Sequence, residues 1–220
     1  MMTLPRRPQA VIFDMDGLIF DTEQLYQEAI MAAADEVGQP MTPEIFRAMI
    51  GRPWLRSREF LMGHYGPAFA VDDFRAAWNR HFDLIVDARL ALKAGVVELL
   101  DALDQLALPR AIATSSTHHT VRHHLSAHDL TGRFHHVVAH GDYANGKPAP
   151  DPYLKAAGLV GIDPVCCLAL EDSHNGVRSA AAAGMMTIMV PDLLEATDEI
   201  RELCALVVPD LHAVRGLVSR

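Results

Sequence analysis

The chain has 220 residues, half of them hydrophobic, 21% charged, with a formal net charge of −9. That length suits one large domain or a core with a smaller second unit, and the apolar share can fill a sizeable interior. The negative balance argues against nucleic acid or an anionic membrane as the main partner, and no run reaches the roughly 18 apolar residues of a membrane span.

The N-terminal MMTLPRRPQ contains two arginines but no apolar segment resembling a signal peptide before the first acidic pair. The apolar run Ala10–Asp14 reads as a strand, and it runs straight into Asp14-Met15-Asp16-Gly17. From Asp21 to about Leu92 the pattern is helical only. Gln24–Val37 carries Leu25, Ala29, Ala32, Ala33 and Val37 on one stripe and stops at Gly38. Thr42-Pro43 opens a second helix reaching Ile50-Gly51. Phe74, Trp78, Phe82 and Ile85 mark a longer helix after Asp72-Asp73.

Beyond this helical insert, strands are expected at Arg110–Ser115, His136–Ala139, Cys167–Leu170, Thr187–Val190 and Ala205–Val208, with helices between most of them. Gly95–Leu106 is apolar at Val96, Leu99, Leu100 and Leu103. Asp151-Pro152 reads as an N-cap and first helical residue, with Gly158 near the stop, and Asn175–Ala183 is closed by Gly184. Alternation of strand and helix predicts an α/β, Rossmann-like core with a mostly parallel sheet covered on both faces. The core would comprise residues 1–20 and 93–220, and the all-helical insert residues 21–92. Cys166, Cys167 and Cys204 make no disulfide framework; reduced, buried thiols in a cytoplasmic protein are expected.

In such sheets, ligands collect at the carboxyl ends of the strands. There the sequence places Asp14 and Asp16, then Thr114, Ser115 and Ser116, then Lys147 between Gly146 and Pro148, then Glu171 and Asp172. Two carboxylates one residue apart repel unless a cation lies near them. Mg²⁺, a hard ion that takes oxygen ligands, suits Asp14, Asp16 and Asp172, with Glu171 beside them. Alternate residues of an extended chain face one side, so one aspartate can attack phosphorus while the other handles the leaving-group proton. Lys147, Thr114, Ser115 and backbone N–H groups at a helix start would hold the phosphoryl oxygens.

The segments DMDG after a strand, ATSS, GKPAPDP and LEDS occur in that order, and together they resemble the haloacid dehalogenase-like superfamily over essentially the whole chain. The resemblance implies Asp14 as nucleophile and Asp16 as general acid/base. It also implies Thr114 and Lys147 as phosphoryl holders, and Asp172, Asp14 and the Asp16 backbone carbonyl around Mg²⁺. It further implies that the helical insert is a cap of the C1 kind. DMDGLIFDTE, GKPAPDP and GMMTIMVPD look most like the subgroup of β-phosphoglucomutases, pseudouridine-5′-phosphatase-like enzymes and sugar-phosphate phosphatases.

The expected activity is Mg²⁺-dependent hydrolysis of a small phosphorylated metabolite, a sugar phosphate or nucleotide-like monophosphate, through an aspartyl-phosphate. The chain is expected to act as a monomer or weak dimer. Asp16 speaks against dehalogenation, and Tyr26 and Trp54 stand where the resembling mutases carry a histidine and a cap arginine. A phosphosugar mutase and a non-catalytic phosphate-binding relative remain as alternatives. Residues expected to meet the leaving group are Glu23, Tyr26, Arg52, Trp54, Arg56 and His81. His118, His119, His123, His124 and His128 share one helix, read as a polar, solvent-facing surface, with His118 near the site mouth.

Overall fold

The computed structural model describes residues 3–49 and 54–219. They divide into two compact units, one of residues up to Asp21 and from Leu92 onward, the other spanning Thr22–Ala91. Among the described residues, no helix is long and apolar enough to cross a membrane.

The first unit is built on a six-stranded sheet: β1 (Ala10–Phe13), β2 (Arg110–Ala113), β3 (His136–Val138), β4 (Cys167–Glu171), β5 (Met186–Met189) and β6 (Leu206–Val207). The spatial order is β3-β2-β1-β4-β5-β6, and every pairing is parallel. A parallel strand covered on both faces needs apolar side chains at every position, and all four residues of β1 and all five of β4 are buried. The strands stop one or two residues before several of the expected ends, because the chain turns where the polar residues begin.

Helices α5 (Val96–Gln105), α6 (His118–Ala127), α7 (Asp151–Val160), α8 (His174–Ala182), α9 (Asp198–Leu203) and α10 (Leu211–Val218) complete this unit. On α5, Val96, Leu99, Leu100 and Leu103 form the buried stripe, each contributing on the order of 1.5–3 kcal/mol by leaving water. Two helix boundaries differ from expectation. Asp151 is the first helical residue, its carboxylate accepting from the Asn145 backbone and side-chain amide at 3.1 and 3.0 Å. Gly158 lies inside α7, and the stop is Gly161, whose φ of 72° is the left-handed conformation that ends helices.

The histidine-rich helix is not uniformly solvent-facing. His124 is only 1% exposed and meets the Phe20 ring edge-on at 5.3 Å, with His128 at 5.6 Å from the same ring. The spacing that suggested a polar face instead turns one member of the cluster inward, where Phe20 offers an aromatic surface. The cysteines are free, but only Cys167 is buried; Cys166 sits in a 3₁₀ turn and Cys204 at a helix end, both half-buried.

The second unit is helical: α1 (Glu23–Glu36), α2 (Pro43–Met49), α3 (Trp54–Tyr65) and α4 (Val71–Arg89). Its interior gathers Ile30, Ala33, Phe46, Leu61, Phe74 and Ala77. The expected end of the second helix at Ile50-Gly51 lies outside the described residues, as does Arg52.

Candidate active site

Sheet order decides what meets. The chain leaves β1 toward β2 and β3 on one side, and β4, β5 and β6 lie on the other, so β1 and β4 flank the point where the topology reverses. Phe13 is in register with Leu170 and with Ile112. The Asp14 amide then donates to the Leu170 carbonyl at 2.9 Å, and the Thr114 amide to the Val138 carbonyl at 3.0 Å. Asp14, Thr114 and Glu171 therefore emerge level with one another at one sheet edge, although Asp14 is 100 residues from Thr114 and 157 from Glu171 in the chain.

Lys147 reaches this edge from the loop before α7. Its Nζ lies 2.5 Å from Asp14 Oδ1 and 2.5 Å from Glu171 Oε1. The Tyr153 hydroxyl donates to the same Glu171 oxygen at 2.7 Å. Ser173 donates to Glu171 Oε2 through its amide and hydroxyl at 3.2 and 3.0 Å, while the hydroxyl accepts from the Gly176 amide at 3.1 Å as the cap of α8. Glu171 is fully buried and both its oxygens accept from donors. Gly176 leaves the space for it: a Cβ there would fall 1.8 Å from Glu171 Oε1.

Asp16 is held by one oxygen only. Ser116 Oγ donates to its Oδ2 at 2.7 Å, and its Oδ1 is buried without a partner among the described residues. Thr114 Oγ1 accepts from the Ser116 amide at 3.0 Å, and the Thr114 carbonyl accepts from the Tyr143 hydroxyl at 3.1 Å. Ser115 is exposed on this loop; it is Ser116 that touches the second aspartate. His118 is engaged by Asp142, Nε2 to Oδ2 at 2.9 Å.

The charges do not balance. Carboxylate oxygens of Asp14, Glu171 and Asp172, all buried, lie within 4.8 Å of one another, and Lys147 is the one cation paired with Asp14 and Glu171 among the described residues. Burial first, then the neighbouring Glu171 and Asp16, push the Asp14 carboxyl up to about 8, against the pull of Lys147. Such a group takes up either a proton or a second cation. The all-oxygen donor set and the surplus negative charge fit Mg²⁺.

Room is reserved as well. Gly17 has φ of 80°, and a Cβ on it would fall 2.3 Å from Asp172 Oδ2 and 3.4 Å from Asp192 Oδ2. Gly17→Ala is expected to displace Asp172 and to raise the Mg²⁺ dissociation constant at least about tenfold, read by calorimetry on the EDTA-stripped chain. An unchanged constant would remove Asp172 from the cation site.

The raised Asp14 pKa also sets a pH dependence. A carboxyl whose folded-state value lies above its ordinary 3.8 contributes stability that is complete below 3.8 and is lost as pH rises to about 8. The metal-free chain is therefore expected to melt at lower temperature at pH 8.5 than at pH 6. Added Mg²⁺ should raise the melting temperature more at pH 8.5, because it then competes with no proton. Equal Mg²⁺ shifts at both pH values would contradict this.

Of the residues expected to meet a leaving group, Glu23, Tyr26, Trp54, Arg56 and His81 belong to the helical unit. His81 and Arg80 both bind Glu36, at 2.8 and 2.5 Å, and Arg56 pairs with Glu59 at 3.0 Å. Tyr26 stacks on Phe82 with centroids 3.9 Å apart, and Trp54 opens α3 beside Arg75. Sequence reasoning missed Tyr153, Gly176 and Asp192. Tyr153 sits two residues inside α7, where an aromatic side chain reads as core; only its hydroxyl makes it part of the site.

A parallel α/β sheet with an acidic cluster and a buried lysine at its switch point, joined to a helical insert, defines a class of hydrolase. The profile of haloacid dehalogenase-like hydrolases matches residues 11–190, and the chain belongs to that family. It is similar to Protein CbbY, plasmid, of Cupriavidus necator, at 35% identity over 92% of this chain and 85% of that protein. It is also similar to the phosphorylated carbohydrates phosphatase of Thermotoga maritima, at 31% identity over 82% of this chain and 83% of the other. The crystal structure of a HAD hydrolase, family IA, variant 3, from Entamoeba histolytica shares the fold, with TM-score 0.80 and 24% identity over 93% and 94% of the two chains.

Proposed function

We propose that the chain is a Mg²⁺-dependent phosphatase that hydrolyses a small phosphorylated metabolite, a sugar phosphate or nucleotide-like monophosphate, through an aspartyl-phosphate. The observation that carries the reading is Asp14 at the end of β1, bound by Lys147 at 2.5 Å, with Asp16 two residues on and one buried oxygen of Asp16 without a partner among the described residues. Family membership and the resemblance to a phosphorylated carbohydrates phosphatase support it.

The chemistry follows from these groups. An Asp14 carboxylate oxygen forms a bond to phosphorus as the bond from phosphorus to the ester oxygen breaks. Asp16, fixed by Ser116, gives a proton to that departing oxygen. It then takes a proton from water, whose oxygen attacks phosphorus, releases phosphate and restores Asp14. Lys147 and Thr114 hold phosphoryl oxygens, and Glu171 with Tyr153 keeps the lysine in place. Asp14, Asp172 and the Asp16 backbone carbonyl would hold Mg²⁺, with Glu171 in support; when bound, the ion neutralises the carboxylates and polarises the phosphoryl group. The helical unit is assigned the role of a cap that excludes water and selects the leaving group.

The test is a panel of sugar phosphates and nucleoside monophosphates assayed for released phosphate with Mg²⁺ and with EDTA. Release that requires Mg²⁺ is expected. Transfer of the phosphoryl group within a hexose phosphate, without release, would replace hydrolysis by mutase chemistry. Inertness toward the whole panel would leave a phosphate-binding relative.

A further inference from the structure

Asp192 takes no part in the chemistry of Asp14 and Asp16, yet the fold delivers it to the same edge. It follows β5, where the Val190 amide donates to the Glu171 carbonyl at 2.7 Å, so the next residues of that segment arrive beside Asp172. Its Oδ1 accepts from Lys93 Nζ at 2.8 Å, and Lys93 lies 3.4 Å from Asp21 as well. Asp21, Lys93, Asp192, Gly17 and Asp172 all belong to the first unit. Burial draws the Lys93 ammonium down, but the bond to Asp192 and the charges of Asp192 and Asp21 outweigh it and hold its pKa above the usual range. The clamp on Oδ1 therefore stays charged near neutral pH.

The other oxygen is not accounted for by that ion pair. Asp192 Oδ2 is buried with no partner among the described residues, and a buried acceptor is unfavourable until a donor meets it. Its place is next to the acidic cluster. A Cβ on Gly17 would fall 2.3 Å from Asp172 Oδ2 and 3.4 Å from Asp192 Oδ2, so the two oxygens flank one point. Asp192 nevertheless stands outside the group of Asp14, Glu171 and Asp172, whose oxygens lie within 4.8 Å of one another. That position suits an acceptor near a cation better than a direct ligand. A water held by Mg²⁺ is a fitting donor, because the ion sheds its waters reluctantly and keeps several.

We propose that Asp192 is a positioning residue of the cation site, accepting through Oδ2 from a water bound to Mg²⁺ while Lys93 fixes its carboxylate through Oδ1. That the donor is a metal-bound water rests on the Mg²⁺ site of the phosphatase reading; the clamped carboxylate and its buried oxygen rest on the contacts named here. Asp192 would then give the site a preference for a cation that keeps its waters.

Asp192→Asn tests this directly. The amide oxygen can stay on Lys93, and an NH₂ group, which only donates, replaces the acceptor at Oδ2. Calorimetry on the EDTA-stripped chain, dialysed free of chelator, reads Mg²⁺ and Ca²⁺ separately. The variant is expected to raise the Mg²⁺ Kd about tenfold. The Ca²⁺ Kd should rise no more than about twofold, because Ca²⁺ exchanges water for protein oxygens more readily. A lost charge alone would weaken both ions alike.

Lys93→Met supplies a second arm in which the two explanations have opposite signs. Removing a nearby positive charge strengthens cation binding through space, whereas freeing the Asp192 carboxylate to turn away weakens it. The Mg²⁺ Kd is expected to rise, by about threefold or more.

Equal losses for Mg²⁺ and Ca²⁺ in Asp192→Asn, no loss at all, or tighter Mg²⁺ binding in Lys93→Met would overturn the proposal and leave Asp192 as the structural partner of Lys93. A parent chain that takes up no Mg²⁺ would overturn it together with the Mg²⁺ site. The phosphatase reading fails separately, when a chain that binds Mg²⁺ as described releases no phosphate from any ester.

Discussion

Replacing Asp14 by Asn is expected to abolish phosphate release while leaving the chain folded. The amide keeps the shape of the side chain and an oxygen for Lys147, and Lys147 retains Glu171 at 2.5 Å. What disappears is the carboxylate that would bond to phosphorus, and no neighbouring group substitutes for it. The second acid, Asp16, accepts from Ser116 through Oδ2, and in the proposed mechanism it carries the proton and does not attack phosphorus. The fold should gain at alkaline pH. Burial, Glu171 and Asp16 all disfavour the ionised Asp14, and Asn carries no charge, so the metal-free variant should melt no lower than the parent at pH 8.5.

Asp16→Asn makes the informative contrast. It keeps the nucleophile and removes the proton carrier, so kcat should fall by about 10²–10⁴ rather than vanish. Initial rates on one substrate with saturating Mg²⁺ decide the matter. Full activity in Asp14→Asn would disprove the covalent route, and equal, complete loss in both variants would fail to distinguish the two roles assigned here.

Lys147→Ala should be the most damaging single change to stability, at about 3–5 kcal/mol. The lysine side chain is 8% exposed, between Asp14 at 10% and Glu171 at 0%. Truncation leaves two buried carboxylates facing each other with no cation, and Tyr153 and Ser173 can donate only to Glu171. Urea denaturation in EDTA at pH 8 measures the loss. Mg²⁺ should recover part of it by supplying the missing positive charge. In the Asp14→Asn background the same truncation should cost less, because one of the two stranded charges is gone. A Lys147→Ala chain as stable as the parent would show that the lysine is not the counter-charge of this cluster.

Much of this site was legible in the sequence because its signals are local. A buried strand in a parallel sheet is a short apolar run, and the first polar residues after it lie at the carboxyl edge of the sheet, which is how Asp14, Thr114, Glu171 and Asp172 could be placed together without coordinates. Lys147 stood out through its setting between Gly146 and Pro148. The helix α3 was harder to see: within it only Ser57 and Leu61 are buried, too few to draw an apolar stripe. His124 escaped for the opposite reason, since a polar type on a polar-looking helix gives no sign that Phe20 waits on its inward side.

What the chain determined by itself is therefore the order of strands and helices, the acidic and basic residues at the strand ends, and the interruption by a helical insert. These depend on periodicity and on residue chemistry within a few positions. The tertiary structure alone decided that β1 lies between β2 and β4 and that Lys147 bridges two carboxylates. It also decided that Ser116 rather than Ser115 holds Asp16, and that His124 turns inward onto Phe20. Each of these joins side chains far apart along the chain or chooses between neighbours by orientation. Distance and direction of that kind are fixed by strand register and helix packing, which no local pattern encodes.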